Sequence, residues 1–171
     1  NASMANVSSL GVRPFAGCEK LADINFQNSE KYTCENSIIF EKDGSGNKFK
    51  VVECLEGRPA KYVNPEEMTG ITELADEAFM ECENLRRVDL TQSNITRVPT
   101  QAFAYTTSMQ DILLPESCNS FGDKVFEGSS VTFLSIPYPG TSIVMTPDSM
   151  KGLDNTNTAI GCIEGSFIYQ Y

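Results

Sequence analysis

The stretch Ile71-Thr72-Glu73-Leu74-Ala75-Asp76-Glu77-Ala78-Phe79-Met80-Glu81-Cys82-Glu83-Asn84-Leu85-Arg86-Arg87-Val88-Asp89-Leu90 decides the fold. With Phe79 as origin, its apolar residues stand at −8, −5, 0, +6, +9 and +11. The same offsets from Phe103 select Ile95, Val98, Phe103, Met109, Ile112 and Leu114. From Phe15 they select Val7, Leu10, Phe15, Leu21, Ile24 and Phe26. From Phe126 they select Cys118, Phe121 and Phe126, then Val131, Leu134 and Ile136 after a one-residue deletion. All twenty-four positions are apolar, counting cysteine, where a composition 40% apolar would supply about ten by chance. The chain therefore carries an internal repeat, in units one (7–26), two (71–90), three (95–114) and four (118–136).

Each unit ends in an in-out-in stretch such as Val88-Asp89-Leu90, the period-two mark of a strand. The segment from −8 to 0, with spacings of three and five, reads as a helical turn or an irregular arm. A unit this short cannot bury its apolar row alone, so neighbours must stack into continuous ladders. The expected fold is a right-handed, curved solenoid, α/β or mainly β, with short parallel strands and a β-hairpin insert. Phe103 follows Phe79 by 24 residues and Phe126 follows Phe103 by 23, whereas Phe79 follows Phe15 by 64. Residues 27–70 hold that insert: Ser37–Phe40 and Phe49–Val52 read as strands joined by Asp43-Gly44-Ser45-Gly46-Asn47. Residues 1–6 read as a disordered lead-in and 7–171 as one domain, with repeats over 71–138 and a degenerate repeat and cap over 139–171. Met145 and Met150 sit five apart, like the −5 and 0 positions, and the tail through Phe167, Tyr169 and Tyr171 is expected to close the open end.

The pattern Ile-xx-Leu-xxxx-Phe-xx-Cys-xx-Leu-xx-Val-x-Leu resembles the BspA-type leucine-rich repeat of bacterial and protist surface proteins. Ala78-Phe79 and Ala102-Phe103, cysteine at +3 (Cys18, Cys82) and proline straight after the strand (Pro115, Pro137) carry the likeness, which covers roughly 7–140. It departs at Thr106 and Ser129, where the +3 cysteine is missing, so that cysteine reads as a packing choice and not a ligand. The resemblance implies a hairpin-bearing interruption of the array that returns through a segment like Tyr62-Val63-Asn64-Pro65. It also implies a bacterial cell-surface or secreted protein engaged in adhesion to, or recognition of, host or microbial macromolecules.

Composition narrows the chemistry. Thirteen basic and 23 acidic residues leave a net charge of −10, which repels phosphate backbones and anionic lipid heads, so nucleic acid is not an expected partner. No apolar run approaches the ~20 residues of a membrane span, and residues 1–9 lack the apolar centre of a signal peptide. Histidine is absent, which removes Ser-His and Cys-His nucleophiles, and no phosphate- or dinucleotide-binding glycine motif occurs. Acidic pairs such as Glu66-Glu67 and Asp76-Glu77 read as solvated arms. No catalytic residue, cofactor or metal site is therefore expected. Residues 43–47 begin like a calcium loop, but the loop's sixth position is Lys48 and its twelfth Cys54, so a turn is expected. Cys18, Cys82 and Cys118 fall on repeat positions and read as buried thiols, while Cys34 and Cys54 flank the hairpin and leave a bridge across it open. Glycosylation sequons stand at Asn1, Asn6 and Asn94.

The outward residues of each strand make the candidate binding face: Asp23 and Asn25, Arg87 and Asp89, Asp111 and Leu113, Phe133 and Ser135. Leu113 and Phe133 are its informative members, because their strand positions face outward while their chemistry favours burial. They mark an interaction site, or they sit beneath the insert or the C-terminal tail. A protein ligand is the first partner this face implies. A glycan on Phe133, Tyr138, Tyr169 and Tyr171 is the alternative, and a spacer repeat within a larger surface protein is a third reading.

Overall fold

The computed structural model describes residues 2–4, 6–153 and 156–162. Its strands are β1 (Ala2–Ser3), β2 (Ile24–Asn25), β3 (Tyr32–Glu35), β4 (Ile38–Lys42), β5 (Lys48–Cys54), β6 (Tyr62–Val63), β7 (Glu73–Leu74), β8 (Arg87–Asp89), β9 (Arg97–Val98), β10 (Asp111–Leu113), β11 (Ser120–Phe121), β12 (Phe133–Ile136) and β13 (Ala159–Cys162). A 3-10 helix, Pro65–Met68, is the one helical element among the described residues. The chain is a mainly β solenoid.

Its spine is a parallel sheet in the order β6-β8-β10-β12-β13. Val63, Val88, Ile112 and Leu134 stand in register and are buried, forming one ladder of the core. On the opposite side β9 pairs with β11, and β7 pairs with β5 through Val51 and Leu74. All eighteen repeat positions of units two, three and four are buried. Through the core runs a phenylalanine ladder: Phe79 and Phe103 stack at 5.2 Å between ring centroids, and Phe103 and Phe126 at 6.2 Å, with planes within 9° of parallel.

The −8 to 0 segments are arms, not helices. Each phenylalanine is bracketed two residues before and two after by left-handed backbone: Glu77 and Glu81, Gln101 and Tyr105, Lys124 and Gly128. Such a conformation costs a non-glycine residue roughly 1 kcal/mol or more and persists only where surroundings over-determine it. Here the neighbouring arm does so. The amides of Glu77, Phe79 and Glu81 donate to the carbonyls of Thr100, Ala102 and Ala104, and those of Gln101, Phe103 and Tyr105 donate to Asp123, Val125 and Glu127. Arm-to-arm bonding thus satisfies the peptide groups that a helix would have satisfied internally.

The insert is a layer, not a projecting hairpin. β4 and β5 form the expected antiparallel pair, and β3, which the sequence pattern did not reveal, adds to the other edge of β4. Its alternation splits the core in two. Ile38, Phe40, Val51 and Cys54 join the solenoid core, whereas Ile39, Val52 and Leu55 pack with Ile24, Phe26 and Tyr32 in a separate cluster. Residues 43–47 form a turn, with Asp43 Oδ1 accepting the Ser45 and Asn47 amides at 2.8 and 2.9 Å. Cys34 and Cys54 cannot meet. They lie on β3 and β5 with β4 between, a separation of about 9–10 Å that exceeds disulfide reach.

The interruption also hides a solenoid turn. Cys54 takes the ladder position before Phe79, its amide donating to Ala78 as Phe79 donates to Ala102, and nine residues on Val63 enters the main sheet. At the other end Val144 bridges to Ser120, Met150 packs on the core, and β13 adds the fifth strand. Met145 and Ile160 remain 38% and 43% exposed there. The tail expected to cap this end, from Phe167 to Tyr171, lies outside the described residues.

Unit one departs from the expectation. Arg13 and Gly17 repeat the left-handed bracket about Phe15, yet β2 pairs only with β1 and not with β6. The reason is the Asn36-Ser37 turn between β3 and β4, which fills the space beside β2: Ser37 Oγ donates to Ala22, and Arg58 bonds to the Asn36 and Tyr62 carbonyls. Val7, Leu10, Phe15 and Leu21 are accordingly only half-buried, and Cys18, expected in a core, is exposed.

Candidate functional site

Three short strands and one longer one present the candidate face. Because β8, β10 and β12 are in register, Arg87, Asp111 and Phe133 form one outward row and Asp89, Leu113 and Ser135 a second. The structure brings these six together. Asp23 and Asn25 do not join them. Asn25 sits on β2 opposite Ser3, outside the main sheet, so the row ends instead in Tyr62 of β6, which is in register with Arg87 and 52% exposed. Tyr62 was missed because its strand lies in the interruption and its unit carries Cys54 where a phenylalanine was sought. The one available signal was the Pro65 that follows it, as Pro115 and Pro137 follow β10 and β12.

Side chains on this face differ in freedom. Asp89 is nearly buried and accepts from Arg87 at 3.0 Å, from the Thr91 amide at 3.1 Å and from the Thr91 hydroxyl at 2.6 Å. Burial works against its charged form, but the Thr91 and Arg87 hydrogen bonds outweigh burial and hold its carboxyl below the usual range. Asp89 is therefore occupied in bracing the strand end. Phe133, 36% exposed, lies over Gly161 of β13, where an added Cβ would stand 3.0 Å from its ring. A bare glycine beneath an aromatic ring is how strand glycine is commonly covered. Leu113 is half-buried and borders a cleft of about 580 Å³ with Ser93, Ser117 and Ser135. The Ser93 and Ser117 hydroxyls in that cleft already donate to the Leu90 and Ile95 carbonyls, and Asn94 and Glu116 complete its polar lining.

The strongest electrostatic structure lies elsewhere, where unit one meets the next turn. Arg13 is buried, and its Nη2 lies 2.6 Å from both Glu56 and Glu81. The Phe15 amide donates to Glu53 Oε2 and the Gly17 amide to Glu56 Oε1, so carboxylates stand where carbonyls of a neighbouring arm would be. Burial pushes the Glu53 carboxyl up to about 7, against the opposing pull of the Phe15 amide and Arg13. This constellation ties Arg13, Phe15 and Gly17 to Glu53, Glu56 and Glu81. Beside it Glu19, Glu83 and Tyr105 line an open acidic cleft of about 670 Å³. Cys82 and Thr106, at the +3 position of successive units, bond to the Cys54 and Phe103 carbonyls, which agrees with a packing role. Among the described residues no group of acids and cysteines is arranged to hold a metal ion, and no helix is long and apolar enough to cross a membrane.

A family model described as BspA type leucine-rich repeat region, in six copies, matches residues 60–146. The chain belongs to the BspA-type leucine-rich-repeat family. The match begins just before β6 and so includes the turn hidden in the interruption, while unit one lies outside it. The fold is similar to that of a leucine rich cell surface protein from Faecalibacterium prausnitzii, solved by crystallography at 1.80 Å. The two superpose with a TM-score of 0.68 at 21% identity, over 99% of this chain and 49% of that one. This chain thus spans about half the length of that protein, and at such identity the likeness is one of fold. No curated relative matches the sequence.

Proposed function

We propose that the protein is a non-catalytic, cell-surface or secreted binding module that adheres to or recognises host or microbial proteins through the exposed face of the parallel sheet. The observation that supports this most directly is the two in-register rows. Tyr62, Arg87, Asp111 and Phe133 lie side by side across four strands, with Leu113 and Ser135 in the next row. A face with exposed aromatic and aliphatic groups among charges suits a protein partner. Surface localisation rests on family membership and on the fold shared with a leucine rich cell surface protein.

The test is a binding screen of the purified protein against immobilised host extracellular proteins and surface polysaccharides, with a Leu113→Ser/Phe133→Ser variant alongside. Binding to a protein that disappears in the folded variant is the expected result. Selective capture of a polysaccharide would replace the reading with a glycan-binding one. Silence on both panels would favour a spacer repeat, and binding unaffected in the variant would move the site off this sheet.

A further inference from the structure

The rows of the sheet are not evenly charged. Lys61 and Arg86 occupy the position just before β6 and β8, next to each other, since the Arg86 amide donates to the Lys61 carbonyl at 2.8 Å. Both are exposed, and among the described residues neither side chain forms an ion pair or a side-chain hydrogen bond. Arg87, one residue on, keeps its side chain 43% exposed while touching Asp89. In a chain of net charge −10, three cations gathered on neighbouring strands concentrate basic charge where the molecule has little to spare. The corresponding positions before β10 and β12 are the uncharged Gln110 and Thr132, so the cationic end is confined to the first two strands.

We propose that this end of the sheet binds an acidic polypeptide segment: Lys61, Arg86 and Arg87 take its carboxylates, and Leu113 and Phe133 take an apolar side chain further along the same segment. The inference rests on the sheet face being the binding surface, and it adds the chemistry of the partner. Spacing defines the segment. From β6 to β12 is three strand steps of ~4.8 Å, about 14 Å, which an extended peptide covers in roughly four residues at ~3.3 Å each. Charge complementarity supplies orientation and association rate, and the apolar contact supplies the desolvated centre that holds the complex. An acidic polysaccharide meets the cations equally well but gains nothing from an aliphatic Leu113, so the two classes separate experimentally.

The probe is a fluorescent peptide of three glutamates, a four-residue glycine-serine spacer and a leucine-phenylalanine pair, read by anisotropy with the intact protein. Companion peptides replace the glutamates by lysines or the apolar pair by serines. The acidic, apolar-ended peptide is expected to bind, to weaken at least roughly tenfold between ~50 mM and ~200 mM salt, and to lose about tenfold in Lys61→Glu/Arg86→Glu. Phe133→Ser should weaken that peptide but not its serine-ended companion. Each substitution is at an exposed or half-exposed site, and an unchanged melting temperature verifies folding. Equal binding of the lysine peptide, or full binding by the charge-reversed variant, overturns the proposal. So does a polygalacturonate chain that binds as tightly as the peptide, with Phe133→Ser weakening neither. A protein ligand from the screen that depends on Leu113 and Phe133 yet ignores charge reversal would overturn this inference and leave the sheet-face reading standing. Loss of that reading would show first as binding indifferent to both variants.

Discussion

Units one and three obey the same apolar spacing and the same left-handed bracket about a phenylalanine, yet they are built into the molecule differently. In unit three every repeat position is buried, and Phe103 lies between Phe79 and Phe126. In unit one four of the six positions stay half-buried, β2 leaves the main sheet, and the arm amides bond to carboxylates of Glu53 and Glu56. The backbone of a repeat is thus a local property, whereas its burial is conferred by neighbours on both sides. Where one neighbour is replaced by an antiparallel layer, side-chain carboxyl groups take over the part that backbone carbonyls play elsewhere.

The comparison breaks most sharply at the phenylalanines. Phe103→Ala empties a column shared with both neighbours and should lower stability by ~3–5 kcal/mol in denaturant unfolding. A loss below about 1 kcal/mol would mean that the ladder does not carry the core. Arg13→Met removes the partner of Glu56 and Glu81 and leaves buried carboxylate uncompensated. We expect ~2–3 kcal/mol, discounted because Glu81 is partly exposed. The loss should appear as faster amide exchange around Leu21–Phe26, with the repeats keeping their protection.

Acidity sharpens the same contrast. Glu53 holds its proton up to about 7 in the folded protein, above the 4.5 of an unburied glutamate. Its contribution is fully present below the unfolded value and is lost as pH rises through the folded one. The N-terminal cluster should therefore weaken between about pH 4.5 and 7, by roughly 2 kcal/mol, and then level off. Glu53→Gln should flatten that slope as followed by pH-dependent thermal unfolding, and a slope unchanged in the variant would assign it to another acid. Phe15→Ala, at a half-buried position, should cost only ~1–2 kcal/mol. If Phe15 proved as costly as Phe103, unit one would be as firmly packed as the repeats.

These differences mark what could be read in advance. The positions from Ile71 to Ile136 were legible because a ladder demands an apolar residue at the same offset in every turn, and four copies over-determine the offsets. Which neighbour each unit meets is not written in offsets. Asp23 and Asn25 carry the strand pattern, but the Asn36-Ser37 turn, thirteen and eleven residues further along, decides that β2 turns away from the sheet. Tyr62 and Val63 escaped for the opposite reason, since their turn meets the ladder with a Cys54 backbone bond and not a phenylalanine ring. On the candidate face, the outward direction of Phe133 and Leu113 was legible from period two. The partial cover that Gly161 gives Phe133 was not, because it depends on β13 reaching the sheet edge from far along the chain.

Around Phe79 and Phe103 the arm ladder runs one way: the amides two residues before, at and two residues after each ring donate to the turn that follows. A stack built on such a rule has a head and a tail but no preferred length. Splicing a second copy of residues 79–102 between Phe79 and Phe103 would leave both ends untouched and widen the sheet by one strand, ~4.8 Å. Reach across a partner is then a quantised quantity, counted in turns, and a gene that gains or loses one repeat resets the molecular ruler without redesigning the protein.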